Sequence, residues 1–307
     1  MLYKTLMLLS RIIRLLPYDL LLMLGRVFGN LYYLLVKKQR ERAVAQMMPA
    51  LKISEGEARK LVRESFVNLA RNMLDILYMP NLNEKNLSEY IEIENLERMR
   101  TALLGGQGVV VLTGHVGTWE WLSAAFSLNG MPVTAIAKLQ PNAEYSRALD
   151  DLRATIHVEI FNRGTNELRA AGRALKEGKI LGFLADQDAG PGGAFINFLG
   201  KTASTPLGPA VFARRFNAPV VPAFILRKEN GRHIVKIGEI MHFEDTGDTD
   251  ADLLRFTEKM TKILEEVIRE NPTQWLWFQK RWNTPPEMQK TNKHHTVKRR
   301  KVKEEKS

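Results

Sequence analysis

The chain has 307 residues, 45% hydrophobic and 26% charged, with no cysteine and a formal charge of +11. This composition sustains a buried core and excludes a disordered polypeptide, and the missing thiols exclude disulfides, a cysteine nucleophile and cysteine-ligated metal. From Lys290 onward, eight Lys/Arg and two Glu supply +6 of the charge. A basic body with a basic tail suits an anionic membrane surface or an acidic protein partner, and no nucleic-acid-binding motif accompanies the charge.

The first apolar stretch, residues 2–16, is interrupted by Lys4, Arg11 and Arg14, and no small-residue cleavage site follows it. On a helical wheel Lys4, Ser10, Arg11 and Arg14 share one arc opposite Leu, Ile and Met, the pattern of a basic amphipathic helix lying in a membrane interface. After Pro17, residues 20–36 read as a second helix, with Asp19, Arg26, Asn30 and Lys37 in one stripe. An arginine near the middle of a spanning helix costs about 2.5–3.5 kcal/mol. Partial insertion is therefore expected rather than a clean span; the alternative is two helices packed on a soluble core. Lys37, Lys38, Arg40 and Arg42 would hold this end on the cytoplasmic side.

Residues 43–80 read as helices, with Ser54 and Glu57 spaced as a capping box and Pro80 as the stop. A short strand is expected at 90–93, then a helix to Leu104. From Gly105 strands and helices alternate: strands at 109–112, 133–137, 158–161, 180–184 and 220–226, and helices at 118–128, 143–155, 165–177 and 206–216. An antiparallel addition is expected at 233–240 and a last long helix at 250–270. Strands separated by helices of this length predict a mostly parallel, helix-covered α/β sheet. The predicted organisation is membrane-anchoring helices at 1–42, an α/β domain at 43–286 and a disordered basic tail at 287–307.

One segment carries the chemistry: Thr113-Gly114-His115-Val116-Gly117-Thr118-Trp119-Glu120. It lies where a buried strand hands over to a helix, a usual place for function in α/β folds. Residues five apart in one helix are offset by about 140°, so pairing His115 with Glu120 needs a turn first, which Gly114 and Gly117 permit. A carboxylate on one imidazole nitrogen fixes the tautomer and leaves the other as a general base. Asp186 and Asp188 end the strand at 180–184 before a glycine-rich loop; they read as metal-binding acids, as site organisers or as a solvated turn. Lys201, Thr202, Ser204 and Thr205 contact an anionic acceptor or cap a helix started by Pro206, and capping is favoured for Ser204 and Thr205. Trp275, Trp277, Phe278 and Trp282, with Lys280 and Arg281, suit either lipid headgroups or a packed core. No Gly-x-Ser-x-Gly elbow is present, which leaves no seat for a serine nucleophile.

The ordered pieces Gly114-His115-x4-Glu120, Ile160-Phe161-Asn162-Arg163-Gly164, Leu184-Ala185-Asp186-Gln187-Asp188-Ala189-Gly190-Pro191, Phe198-Leu199-Gly200-Lys201, Val221-Pro222-Ala223 and Gln274 to Trp282 form one pattern. It resembles the lipid A biosynthesis (late) acyltransferase family, lauroyl/myristoyl type, within the glycerolipid acyltransferase superfamily, over roughly residues 5–286. The resemblance implies O-acyl transfer from an acyl carrier protein thioester to a hydroxyl of a lipid A precursor, at the cytoplasmic face of the inner membrane, with no cofactor or metal. It makes His115 the base and Glu120 its orienting partner. Arg163, Asp186 and Lys201 become acceptor-side residues, Arg163 through phosphate and Asp186 by pairing with Arg163. Family members commonly carry a histidine where Gln279 stands, which argues against a proton-transfer role there. Lysophospholipid acyltransferases usually carry Glu-Gly-Thr-Arg in the third block; this chain has none.

Overall fold

A computed structural model of the chain describes residues 1–137, 141–162 and 165–289, without the side chains of 162 and 165–167. Four helices lead: α1 (Leu2–Ile13), α2 (Tyr18–Leu35), α3 (Lys37–Leu51) and α4 (Glu55–Tyr78). The predicted capping box is formed, with Ser54 and Glu57 exchanging side-chain and backbone bonds at the head of α4. The short α5 (Leu87–Tyr90), β1 (Ile91–Glu94) and α6 (Leu96–Leu104) follow. Next come β2 (Val109–Thr113), α7 (Trp119–Ser127), β3 (Val133–Ala137), α8 (Ala143–Ala154), β4 (Val158–Asn162), α9 (Thr165–Lys176) and β5 (Ile180–Leu184). The chain continues through β6 (Ala194–Phe198), β7 (Lys201–Thr205), α10 (Gly208–Phe216), β8 (Val220–Arg227), β9 (His233–Ile237) and α11 (Thr249–Glu270).

Seven strands make one sheet in the order β1-β9-β8-β2-β5-β3-β4. The five from β8 to β4 run parallel; β9 joins β8 antiparallel, as expected, and β1 runs parallel to β9. Strand β2 sits inside the sheet with all five residues buried, because a strand covered by helices on both faces must be apolar throughout. The α/β reading thus holds, with register tying Thr113 of β2 to Leu184 of β5. That pairing matters for the site below.

The sequence reading missed the hairpin β6–β7. Its turn is Leu199-Gly200, both with positive φ (54° and 89°), the geometry of a two-residue hairpin turn. Ser204 and Thr205 are therefore buried strand residues and not helix caps; α10 starts at Gly208 with Leu207 before it and no side-chain cap. The aromatic segment 275–282 packs inward. Trp275, Trp277 and Arg281 are essentially unexposed. The Arg281 guanidinium lies over the Phe198 ring and donates to the Ser204 carbonyl and Thr205 hydroxyl. Burial pushes its pKa down to about 10.

The N-terminal helices depart from their wheels. Ser10, expected on the solvated arc of α1, is 2% exposed and donates to the Leu77 carbonyl, because α1 lies against α4. Along α2 the buried positions are Leu21, Gly25 and Gly29, while Val27, Leu31, Leu34 and Leu35 face outward at 51–72% exposure. A Cβ on Gly29 would lie 2.4 Å from the Val67 Cα of α4, and one on Gly25 2.5 Å from Arg71. Glycine inside and leucine outside inverts the usual pattern of a helix on a soluble core. Among the described residues no single helix is long and apolar enough to cross a membrane; α2 and α3, bent by 93°, reach that length and composition only as a pair. Of the tail expected at 287–307, residues 290–307 lie outside the described residues.

Candidate active site

Parallel neighbours end at the same sheet edge, so the residues that follow them emerge side by side. His115 and Asp186 each stand two residues past the register pair Thr113/Leu184. The Ala185 N–H closes the edge by donating to the Thr113 carbonyl at 2.9 Å. Beyond it, Asp186 Oδ1 accepts from His115 Nδ1 at 2.8 Å. Its Oδ2 accepts from the His115 backbone N–H (2.9 Å), the Trp275 indole (2.8 Å) and the Gln279 amide (3.2 Å). A carboxylate only accepts, so Nδ1 carries the proton and Nε2 keeps its lone pair.

The electrostatics follow from burial and pairing. Burial disfavours the charge of the fully enclosed Asp186, but the imidazole and its donors more than offset this and hold the carboxyl well below its usual range. Burial likewise opposes a charged His115. The adjacent Asp186 carboxylate wins, with Glu120 adding from farther off, and the pKa is raised above 6.5.

The expected His115–Glu120 pair is not formed; the carboxylate on the ring is Asp186. Helix α7 begins at Trp119, which turns the Glu120 side chain toward α8, where Arg153 grips both its oxygens. Asp186, expected on the acceptor side and paired with Arg163, is instead sealed beneath the imidazole and out of reach of a substrate. Arg163 lies outside the described residues. Lys201 is exposed at the start of β7, its carbonyl accepting from the Trp282 indole, and no contact joins it to His115 among the described residues. Asp188, read as a metal ligand or solvated turn, accepts from the Thr284 hydroxyl (2.7 Å) and backbone N–H.

Behind the turn lies a buried polar cluster that the sequence did not reveal. Arg227 of β8 pairs with Asp75 of α4, and the same guanidinium donates to Asn72, Thr118 and Tyr18. Asn72 donates to the Gly117 carbonyl at 2.7 Å, and the Gly117 N–H donates to the Gln274 carbonyl at 2.9 Å. Gln274 completes the frame by exchanging two bonds with the Arg227 backbone. Burial opposes the Asp75 charge, yet Arg227 keeps the carboxyl well below its usual range. His233 packs on Trp121 in the same cluster, and burial beside Arg227 lowers its pKa. Gly117 needs its φ of +58°, and no side chain fits there: a Cβ would lie 1.9 Å from the Ile225 carbonyl oxygen. The only sequence signal was Asn72 and Asp75 interrupting an apolar helical face.

A small, mostly apolar cavity lies one residue from the imidazole, across Trp119, and is lined by Val111, Leu122, Phe126, Ile160 and Phe183 among others. Trp119 forms part of its wall and meets the His115 ring edge-on at 5.0 Å. The Glu120–Arg153 pair lines the same cavity. An imidazole with one nitrogen paired to a buried carboxylate, close to an apolar cavity, suits general-base chemistry on a substrate with an apolar part.

Comparison with known proteins points the same way. Residues 4–284 match the family described as bacterial lipid A biosynthesis acyltransferase. The lipid A biosynthesis lauroyltransferase of Escherichia coli is 25% identical over 284 residues, covering 89% of this chain and 88% of that protein. The palmitoleoyltransferase of the same organism is 24% identical, covering 88% and 87%. A phosphatidylinositol mannoside acyltransferase of Mycolicibacterium smegmatis is 23% identical over 72% of each chain. The chain belongs to the bacterial lipid A biosynthesis acyltransferase family.

Proposed function

We propose that this protein transfers a fatty acyl chain from an acyl carrier protein thioester to a hydroxyl of a lipid A precursor. The observation that carries the reading is the His115 imidazole, its Nδ1 held by Asp186 and its ring against Trp119 of an apolar cavity wall. Nε2 takes the proton of the acceptor hydroxyl as its oxygen bonds to the thioester carbonyl carbon. Collapse of the tetrahedral intermediate breaks the C–S bond, and the imidazolium returns the proton to the leaving thiolate. No acyl-enzyme forms. Asp186 takes the orienting role expected of Glu120 and stabilises the imidazolium. Glu120 and Arg153 shape the wall of the acyl slot. Arg163, just past β4, and Lys201 serve the acceptor's phosphates.

The outward leucines of α2 rest in the inner membrane's cytoplasmic leaflet, with Lys37 and Lys38 on its anionic headgroups. The test is mass spectrometry of acceptor lipid after incubation with purified protein and acyl carrier protein thioester. One added acyl chain on a lipid A precursor, abolished by His115→Ala, is expected. Addition to a mannosylated phosphoinositide alone would move the assignment to that acceptor. Undiminished transfer by His115→Ala would overturn the mechanism.

A further inference from the structure

We propose that Gln187 is a catalytic residue whose side-chain amide stabilises the oxyanion of the transfer reaction; this rests on the function proposed above. Gln187 directly follows Asp186, and the two side chains part at the sheet edge. Asp186 turns inward to the Nδ1 side of His115, while Gln187 is exposed, with its Nε2 3.4 Å from the imidazole Nε2. Its amide donor therefore stands beside the one atom that must receive the acceptor's proton.

Geometry then places it on the intermediate. The attacking oxygen must lie roughly 3 Å from the His115 Nε2, and the carbonyl oxygen of the attacked thioester is one carbon away. As that carbon becomes tetrahedral, its oxygen gains the electron pair of the carbonyl bond and needs a donor at about 3 Å. The three backbone donors from His115 to Gly117 are committed elsewhere. His115 N–H goes to Asp186, Val116 N–H to the Gly114 carbonyl at 2.8 Å, and Gly117 N–H to the Gln274 carbonyl at 2.9 Å. Gln187, by contrast, makes its one side-chain hydrogen bond among the described residues to the base itself. Arrival of the hydroxyl at Nε2 displaces the amide from the ring and frees both its N–H groups.

The experiment compares parent, Gln187→Leu, Gln187→Glu and His115→Ala, each confirmed folded by its melting profile. Transfer is measured at saturating acyl carrier protein thioester with the lipid acceptor varied. Gln187→Leu is expected to lower kcat about 10²-fold with the acceptor KM within twofold of the parent. In Gln187→Glu a carboxylate replaces the donor beside Nε2, so the His115 titration followed by NMR without substrate should move to higher pH. A Gln187→Leu kcat within threefold of the parent, or a change confined to KM, would overturn the proposal. So would an unmoved His115 titration in Gln187→Glu. Failure of the underlying reading looks different: the parent transfers nothing, or His115→Ala matches it.

Discussion

Arg153 closes on Glu120 with two parallel hydrogen bonds, Nη2 to Oε1 at 2.6 Å and Nε to Oε2 at 2.8 Å, and both side chains are at most 13% exposed. The Glu of the His-x4-Glu spacing is thus bound to a neighbouring helix and not to the histidine. Together with Arg153 it lines the cavity wall.

The cost of losing Glu120 is therefore that of a buried charge left alone. Glu120→Ala is expected to destabilise the fold by about 3–5 kcal/mol and to lower transfer with it, read by chemical denaturation. The double variant Glu120→Leu/Arg153→Met should recover most of that stability. If it melts no higher than Glu120→Ala, the pair is not what the single substitution broke.

Asp186 should reveal itself in the pH profile. The base works neutral, and its raised pKa puts the acid limb of kcat/KM above 6.5. In Asp186→Asn the adjacent counter-charge is gone and burial is opposed only by the more distant Glu120, so the limb should move to lower pH while kcat drops about 10²–10⁴-fold. The linkage sign is fixed as well. The raised His115 value contributes stability that is complete below 6.5 and fades as pH rises through the folded pKa. The depressed Asp186 value contributes stability present above 3.8 and lost as pH falls through its folded pKa. Stability of Asp186→Asn should vary less across both windows, and an unchanged acid limb would count against the pairing.

Gly117→Ala combines a left-handed backbone with a clash on the Ile225 carbonyl. A loss of about 3 kcal/mol is expected, with weakened transfer, since the turn that aims His115 is the part that must give. Gly130, also at positive φ but with open space around its missing Cβ, serves as control. Gly130→Ala should cost about 1 kcal/mol and leave transfer unchanged.

Much of this was legible in the chain. Strands 133–137 and 180–184 and the Ser54 cap appear where periodicity and capping put them, because each is decided by neighbours in sequence. What was not legible is adjacency. Nothing in residues 109–113 says that the strand beside them is 180–184 rather than 133–137, and that order alone brings Asp186 to His115. The spacing rule instead offered Glu120, close along the chain and turned away by the first turn of α7. The cluster of Asp75, Thr118, Arg227 and His233 was hidden for the same reason, its members drawn from three elements and the turn before α7. The Leu199-Gly200 hairpin was a different failure: its turn signal was present, but Pro206 was read as the start of a helix.

The two glycines on the inner side of α2 seat that helix so close to α4 that it has no room to roll about its own axis. With the membrane contact proposed above, its outward leucines would act as a fixed keel for the whole molecule. A membrane that took them up would then set the height and tilt at which the His115 edge of the sheet meets the bilayer. An alanine at Gly29 would push that keel outward and misalign that edge without touching a single reacting group.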